Sequence, residues 1–173
     1  MSGSGKSATA PLLAKRLRCA SVDLDQEIER LAGCSVRAIF EEEGEERFRD
    51  LESLALARIL SAATPSVVAC GGGVLGRAAN REALKARARV VWLRVSPEVA
   101  AERLSGPEAS GRPLLQGGPV PDRLRSLLDR RAALYAEAAD ASVETAGRTP
   151  DEVAERIAVV LDRPGIRWDS SAS

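Results

Sequence analysis

The stretch MSGSGKS at residues 1–7 decides how the rest of the chain is interpreted. Its final residues match the end of the phosphate-binding loop pattern G-x-x-x-x-G-K-[ST]. Gly3 and Gly5 allow backbone N–H groups to approach a phosphate chain closely, while Lys6 supplies a positive charge and Ser7 offers a hydroxyl to Mg²⁺. Since a helical pattern follows at once, the phosphates would lie at a helix N-terminus, where the dipole favours anions. The alternative is a flexible Gly/Ser segment with no function.

The composition is that of a globular domain of ordinary size. The chain has 173 residues, of which 45% are hydrophobic, and a mean hydropathy of −0.13. Its 25 basic and 25 acidic residues cancel to a formal net charge of zero, which argues against nucleic acid as a partner. No apolar run approaches the roughly 20 residues that cross a membrane, and no signal peptide is recognisable. We therefore expect a cytoplasmic protein with no membrane partner.

The absence of histidine and the small number of cysteines limit the catalytic mechanisms that the chain can use. The sequence contains no histidine, which excludes Ser-His-Asp and Cys-His catalysis together with the commonest metal ligand. Cys19, Cys34 and Cys70 are odd in number and irregularly spaced, as expected of ordinary reduced cysteines and not of a disulfide or zinc framework. Acid–base chemistry must therefore fall to carboxylates, Lys, Tyr or Cys.

Predicted strands alternate with predicted helices along the chain. Short apolar runs predict strands at 19–22, 66–70, 89–95 and 141–143, and helical periodicity is longest at 45–62 and 122–138. This alternation indicates an α/β fold in which helices cover both faces of a parallel sheet. We expect one domain over residues 1–162, a lid-like Gly/Pro-rich loop at about 105–121, and a tail at 163–173.

Chemically unusual residues follow two of these strands. Asp23 and Asp25 share a side of extended chain, so one could support Mg²⁺ and the other could take a proton from a substrate hydroxyl. Gly71, Gly72 and Gly73 cost stability unless a ligand approaches the backbone closely. Ligands bind at the carboxyl ends of parallel strands, so both groups should lie beside the phosphate loop. The alternative for Asp23 and Asp25 is a helix cap with a solvated acid. The alternative for the three glycines is a loose turn.

Three arginines are candidates for anion binding. Arg49 and Glu52 share a helix face and form either a surface ion pair or a clamp for a small anionic polyol. Arg131 falls on the apolar stripe of its helix, so it should face inwards and need a bound carboxylate, a phosphate or a core acid as partner. Arg112 lies in the Gly/Pro-rich loop, where it either meets a transferring phosphoryl group on lid closure or stays solvated.

In combination these stretches resemble the shikimate kinases, P-loop kinases that phosphorylate the 3-hydroxyl of shikimate with ATP. The matching stretches, in the family's order, are GSGKS at 3–7, DLD at 23–25, FRDLE at 48–52, GGGV at 71–74, RPLL at 112–115 and RRAALY at 130–135. The resemblance implies a three-layer P-loop kinase fold with a five-stranded parallel sheet in the order 2-3-1-4-5. It also implies ATP and shikimate as substrates and Mg²⁺ as cofactor, and we expect a monomer.

The resemblance further implies a role for each candidate residue. The expected ATP contacts are Gly3, Ser4, Gly5, Lys6, Ser7, Arg103, Arg112, Arg148 and Pro150. Ser7 and Asp23 would hold the metal ion. The expected shikimate contacts are Asp25, Arg49, Glu52, Gly71, Gly72, Gly73 and Arg131. Lys6, Asp25 and Arg112 would be catalytic, with Asp25 as the base and Arg112 as the lid arginine.

The sequence departs from the family pattern at two places. The first glycine of the loop pattern and the strand before it are absent, and that strand is central in the family's sheet. Its loss would leave unpaired edges on both neighbours and a hole in the core. A late-assigned start codon or a truncated chain would explain this, and upstream codons should then encode a β-rich run ending in glycine; a shortened, inactive chain is the alternative. The lid is also slightly longer, between Ser105 and Gly111.

Two other functions remain open at this stage. Gluconokinases share the SGSGKS loop, so gluconokinase or another small-metabolite P-loop kinase is the second interpretation. The triple glycine and the pair Arg49 and Arg131 favour a substrate that carries an acid group. A nucleotide-binding relic without kinase activity is the third interpretation.

Overall fold

The computed structural model describes residues 1–105 and 119–162. Helices and strands alternate as the sequence predicts. The helices are α1 (Lys6–Leu17), α2 (Leu24–Ala32), α3 (Val36–Glu42), α4 (Gly44–Ser61), α5 (Ala78–Arg87), α6 (Pro97–Arg103), α7 (Val120–Ala138) and α8 (Pro150–Leu161). The strands are β1 (Ala20–Asp23), β2 (Ser66–Ala69), β3 (Val91–Arg94) and β4 (Ala141–Glu144), and a 3₁₀ turn spans Val74–Gly76.

The strands form two parallel pairs. β1 pairs with β2, with Ala20 opposite Ser66, and β3 pairs with β4, with Val91 opposite Ala141. Across the described residues, no strand pairs with the second edge of β2 or of β3. The predicted parallel α/β architecture is confirmed. In the family order 2-3-1-4-5, strands 2 and 3 are neighbours on one side of the central strand, and strands 4 and 5 are neighbours on the other side. The pairs β1–β2 and β3–β4 correspond to these two pairs of neighbours.

Local sequence explains where most helices begin and end. Ser35, Ser96 and Thr149 each accept a hydrogen bond from a backbone N–H of the helix that follows, which satisfies a donor that the first turn leaves open. Thr149 and Glu152 form a complete capping box. Gly33 ends α2 in a left-handed conformation with φ of 72°, which costs glycine little. The caps at Ser96 and Thr149 define the turns that lead from β3 to α6 and from β4 to α8.

The starts of α7 and β3 differ by two positions from the sequence-based prediction, and the other boundaries given above differ by one position or none. α7 begins at Val120, two positions before the predicted start at Asp122, because Pro121 in the first turn needs no hydrogen-bond acceptor. β3 begins at Val91, later than the predicted Arg89, because the backbone of Val90 bonds to Asp140 in place of a ladder partner. Most of the predicted lid lies outside the described residues.

The core consists of three apolar clusters around the strand pairs. The largest is formed by α2, α4 and the 3₁₀ turn, with Leu24, Ile28, Ile39 and Leu56 almost fully buried. A second lies between α1, α8 and the β3–β4 pair, and a third joins Met1 to α6 and α7. Within residues 1–105 and 119–162, no helix combines the length and apolar character that a membrane crossing needs.

Candidate functional site

The glycine-rich loop is built to place backbone against a ligand at the start of α1. Gly3 and Gly5 adopt φ of 73° and 84°, which L-residues with side chains rarely adopt. A Cβ on Gly3 would also lie only 2.5 Å from the carbonyl oxygen of Ala100. The Lys6 ammonium group folds over the loop and donates to the Met1 carbonyl oxygen at 2.6 Å. The residues predicted to bind phosphate therefore form a defined loop, and Lys6 bonds back to its first residue.

Ser7 and Asp23 meet beside this loop as predicted. The Ser7 hydroxyl donates to Asp23 Oδ2 at 3.0 Å, which joins the first turn of α1 to the end of β1. Asp23 Oδ1 accepts from the backbone N–H of Asp25 at 3.0 Å, so Asp23 also caps α2. The cap interpretation is therefore confirmed for Asp23. Asp25 lies in the first turn of α2 and not in extended chain as predicted, because the cap at Asp23 starts the helix at Leu24. The acid–base role of the pair stays a prediction. Hydroxyl and carboxylate oxygens are the ligands that Mg²⁺ takes, together with water and substrate phosphates.

The described residues supply few possible ligands for a metal ion at this site. Among the described residues, no group of three or more His, Cys, Asp or Glu side chains is placed to hold a metal ion. Ser7 and Asp23 alone therefore fit an ion that arrives with a nucleotide and keeps most of its ligands from phosphate and water. They do not fit a resident structural metal.

Arg49 forms ion pairs with two glutamates of its own helix, α4, and one of these glutamates is buried. Its guanidinium donates to Glu52 Oε2 at 2.9 Å and to Glu45 Oε1 at 2.9 Å, and it stacks 5.0 Å above the Phe48 ring. Burial opposes its charge, but the two carboxylates outweigh burial and raise the pKa of Arg49. A Cβ on Gly73 would collide with this guanidinium. Arg49 and Glu52 are thus a buried pair at the site, not the surface pair that their spacing alone would favour.

Glu52 carries the one buried side-chain oxygen without a hydrogen-bond partner among the described residues. Its residue is 1% exposed, and Oε1 has no hydrogen-bond partner. Burial raises the pKa of Glu52, and the nearby Asp25 carboxylate adds to the rise, while Arg49 and Arg131 act against it. An unpartnered buried oxygen is costly, so Oε1 is placed to accept a hydroxyl or water that a ligand brings.

Glu52→Gln should change how stability depends on pH. The pKa of Glu52 is raised in the folded chain, so the stability it contributes is fully present below its unfolded pKa and is lost as the pH rises through its folded pKa. The variant has no such loss. Its free energy of unfolding, relative to that of the unsubstituted chain, should therefore increase in urea titrations as the pH rises above the ordinary pKa of a glutamate.

Glu45→Gln is the matched control, because Glu45 pairs with the same Arg49 but its side chain is 51% exposed. We expect it to leave the pH dependence nearly unchanged. Parallel stability curves for Glu52→Gln and the unsubstituted chain would contradict a raised pKa for Glu52.

The triple glycine brings backbone directly against the acidic residues. A Cβ on Gly71 would lie 3.4 Å from Asp25 Oδ1 and 3.5 Å from Glu52 Oε1. The Tyr135 hydroxyl donates to the Gly72 carbonyl oxygen at 2.6 Å, and a Cβ on Gly72 would lie 2.8 Å from that hydroxyl. The glycines therefore lie close to other groups of the protein, namely these side chains and the Met1 backbone, which is 3.3 Å from the Cβ position of Gly72. The approach of a ligand to them stays a prediction.

Tyr135 is the functional neighbour that sequence reasoning missed. Burial raises the pKa of its hydroxyl, and the Arg131 guanidinium beside it partly offsets the rise. Arg131 is half-buried and close enough to act on both Tyr135 and Glu52, so its predicted inward orientation agrees with its surroundings. The available signal was that Tyr135 lies one helical turn after Arg131 on the same apolar stripe.

Three further predicted residues lie on the opposite side of the loop. Arg103, at the end of α6, donates to the Gly3 carbonyl oxygen at 3.3 Å and to the Thr145 carbonyl oxygen at 2.6 Å. Arg148 donates to the Glu144 carbonyl oxygen at 3.1 Å, and Pro150 begins α8. Arg103 therefore ties the phosphate loop to the turn after β4, a structural link that the sequence did not reveal. Arg112 lies outside the described residues.

The cysteines take no part in this chemistry. Burial raises the pKa of Cys70 to about 12, so its thiol stays protonated and a poor nucleophile at neutral pH. Cys19, Cys34 and Cys70 are all free thiols, as their number and spacing predict.

Comparisons with known proteins agree with this arrangement. The family model described as shikimate kinase matches residues 2–162. The shikimate kinase of Thermodesulfovibrio yellowstonii is 39% identical over 161 residues, which cover 93% of this chain and 91% of that protein. The shikimate kinase of Synechococcus sp. is 43% identical over 166 residues, which cover 96% of this chain and 82% of that protein.

Solved structures agree with the same fold. The structure of shikimate kinase from Acinetobacter baumannii in complex with shikimate superposes with a TM-score of 0.85 at 36% identity, covering 92% of this chain and 87% of that one. That of Aquifex aeolicus shikimate kinase gives a TM-score of 0.76 at 31% identity, covering 91% and 90%. A phosphate loop, an acid pair and two inward arginines at one sheet edge thus coincide with a match over nearly the whole chain, and the chain belongs to the shikimate kinase family.

Proposed function

We propose that this chain transfers the γ-phosphate of ATP to the 3-hydroxyl of shikimate. One observation carries the proposal: the phosphate loop, the Asp25 carboxylate and the Arg49 and Arg131 guanidinium groups meet around the ends of β1 and β2. In this proposal the loop would bind the phosphates and the two arginines would bind an acid group, with the Asp25 carboxylate available to both substrates. Such an arrangement suits an acceptor that is both an alcohol and an acid.

The nucleotide would bind along the loop from Gly3 to Ser7, with Ser4 and Gly5 lining it. Lys6 would exchange its bond to the Met1 carbonyl for one to the outer phosphates. Ser7 and Asp23 would hold Mg²⁺, which when bound neutralises phosphate charge. On the adenine side, Arg103, Arg148 and Pro150 frame the turn after β4. Arg112 would complete the phosphate contacts from the lid.

The acceptor would bind on the side of α4 and α7. Arg49 and Arg131 would hold the shikimate carboxylate, since guanidinium groups pair with carboxylates in a fixed two-pronged geometry. Glu52 Oε1 would accept a hydroxyl, which would give a partner to the one buried side-chain oxygen that lacks a hydrogen bond within the described part of the chain. The backbone of Gly71, Gly72 and Gly73 would lie against the ring of shikimate.

Asp25 would act as the base. It would take the proton of the 3-hydroxyl as that oxygen attacks the γ-phosphorus in line with the departing ADP oxygen. The P–O bond to ADP breaks, the new P–O bond gives shikimate 3-phosphate, and the proton remains on Asp25 until product leaves. Lys6, and Arg112 with it, would stabilise the charge that develops on the transferring group.

Further properties of the enzyme belong to the same proposal. Residues 1–162 form a single catalytic domain that works as a monomer on small molecules alone. Neither nucleic acid nor a membrane is a partner. A cytoplasmic location suits a reaction whose phosphate donor is ATP.

The proposal is tested by a coupled ADP-release assay with shikimate and with gluconate as acceptors. We expect ADP release that depends on shikimate and Mg²⁺ together, and none with gluconate. Activity on gluconate without activity on shikimate would overturn the proposal in favour of a gluconokinase. If neither acceptor gives activity, even in a chain extended at Met1, the protein is a nucleotide-binding relic.

A further inference from the structure

Tyr135 brings a hydroxyl from α7 to the turn that follows β2. The hydroxyl donates to the Gly72 carbonyl oxygen at 2.6 Å, although the two residues lie 63 positions apart in the sequence. Tyr135 is 7% exposed, and its ring packs 5.5 Å from the Trp92 ring at an interplanar angle of 51°. The side chain is therefore held in one orientation, by ring packing together with a hydrogen bond at its tip.

The peptide unit between Gly72 and Gly73 is held by side chains from two helices. Tyr135 of α7 holds the Gly72 carbonyl oxygen, and a Cβ on Gly73 would collide with the Arg49 guanidinium of α4. Because a peptide unit is planar and trans, fixing its C=O also fixes the direction of its N–H, which belongs to Gly73. Within the described part of the chain, that N–H donates to no protein group, so it is available to a ligand.

Arg131 is the second neighbour of the Tyr135 hydroxyl. It is half-buried and lies four positions before Tyr135, so the two side chains share a helix face. Burial raises the pKa of the hydroxyl, and the Arg131 guanidinium acts against this rise through its charge and a hydrogen bond. One hydroxyl thus lies between the arginine that would hold the acceptor carboxylate and the glycine backbone that would lie against the acceptor ring.

We propose that Tyr135 is a positioning residue of the acceptor site, whose hydroxyl fixes the Arg131 guanidinium and the Gly72 carbonyl relative to each other. This inference rests on the function proposed above. Tyr135 acts through these two neighbours and takes no part in phosphoryl transfer. A tyrosine that only filled the core would need the ring but not this oxygen, so removing the oxygen alone separates the two roles.

Tyr135→Phe removes the oxygen and keeps the ring. We expect KM for shikimate to rise about tenfold, which is the usual scale for the loss of one buried hydrogen bond. Because Tyr135 touches no reacting atom, kcat should stay within about threefold. KM for ATP should be almost unchanged, since Tyr135 is not among the residues proposed to bind the nucleotide. An unchanged KM for shikimate would overturn the proposal.

Asn80→Ala is the matched control, because it also removes a buried hydrogen bond beside the glycines. Asn80 is 3% exposed, and its side-chain amide donates at 3.0 Å to the carbonyl oxygen of Val74, the residue directly after Gly73. Both variants should lower the thermal midpoint of unfolding, but Asn80→Ala should leave KM for shikimate within about twofold. An equal rise of KM in the two variants would mean that Tyr135 only stabilises this turn, and would overturn the proposal.

A double-variant cycle with Arg131→Ala tests the link to the guanidinium. If Tyr135 acts partly through Arg131, the double variant should weaken shikimate binding by less than the product of the two single effects, because residues that act together are not additive. Single effects that multiply fully would show that the two side chains act independently, and would overturn the proposal.

Tyr135 also offers a readout that does not depend on activity, because it is the only tyrosine of the chain. Tyrosine that is isotope-labelled at its phenolic carbon therefore gives a single resonance, which shikimate should shift with the affinity that calorimetry measures. If shikimate binds and the resonance stays in place, the role of Tyr135 is overturned while the proposed function stands. If shikimate does not bind to the unsubstituted chain, the proposed function fails, and the role of Tyr135 fails with it.

Discussion

Asp25→Asn should lower kcat for shikimate phosphorylation by about 10²–10⁴-fold, the usual contribution of a positioned general base. The amide keeps the shape of the carboxylate but cannot take a proton from the acceptor hydroxyl. The hydrogen bond that the Asp25 backbone N–H donates to Asp23 does not involve the Asp25 side chain, so Ser7 and Asp23, the residues proposed to hold Mg²⁺, should stay in place. KM for ATP should change little.

Asp50→Asn is the matched control for this variant. Asp50 lies on α4 and pairs with Arg77, and its side chain is 59% exposed. The same chemical change there should leave kcat within about twofold, since surface ion pairs contribute little. If Asp25→Asn kept kcat within tenfold of the unsubstituted enzyme, Asp25 would not be the base, and the proton would have to pass directly to the transferring phosphate.

Arg131→Ala should weaken shikimate binding by roughly 30-fold or more, because truncating one side of a desolvated charge pair costs several kcal/mol. The binding of ATP should be almost unaffected, since Arg131 lies near Tyr135 and Glu52 and is not among the residues proposed to bind the nucleotide. Calorimetric titration with each substrate separately measures both affinities.

The adjacent Arg130 offers a control of identical chemistry. It is exposed, and it donates to Ser126 on its own helix at 2.9 Å. Arg130→Ala should leave both affinities unchanged. Unchanged shikimate affinity in Arg131→Ala would remove this residue from the acceptor site.

Much of this site could be predicted from sequence because parallel strands end at a common edge. Asp23, Asp25 and the glycines at 71–73 each follow an apolar run, and that position alone brings them together. The inward orientation of Arg131 could be predicted because its helix has a single apolar stripe. The helix starts at Ser35, Ser96 and Thr149 could also be predicted, because capping depends only on residues that are close together in the sequence.

Contacts that depend on three-dimensional packing could not be predicted in this way. The bond from Tyr135 to Gly72 joins residues that are 63 positions apart, and a tyrosine on an apolar stripe is ordinarily a core residue. The link from Arg103 to Gly3 and Thr145 has no sequence signature either. The unpartnered Glu52 oxygen arises only when α4 packs against the loop after β2. Periodicity shows which face is buried, but not which atoms meet there.

The network around Arg49 has a consequence for ligand selection. Its guanidinium is already occupied by Glu52, which is buried, and by Glu45, which is exposed. If Arg49 binds the acceptor as proposed, an incoming carboxylate would share this guanidinium with the internal carboxylates or compete with them. A simple anion such as chloride or acetate would then gain little. A ligand whose hydroxyls also pair with the unpartnered Glu52 oxygen would gain more, so the internal ion pairs would help the pocket to discriminate between anions.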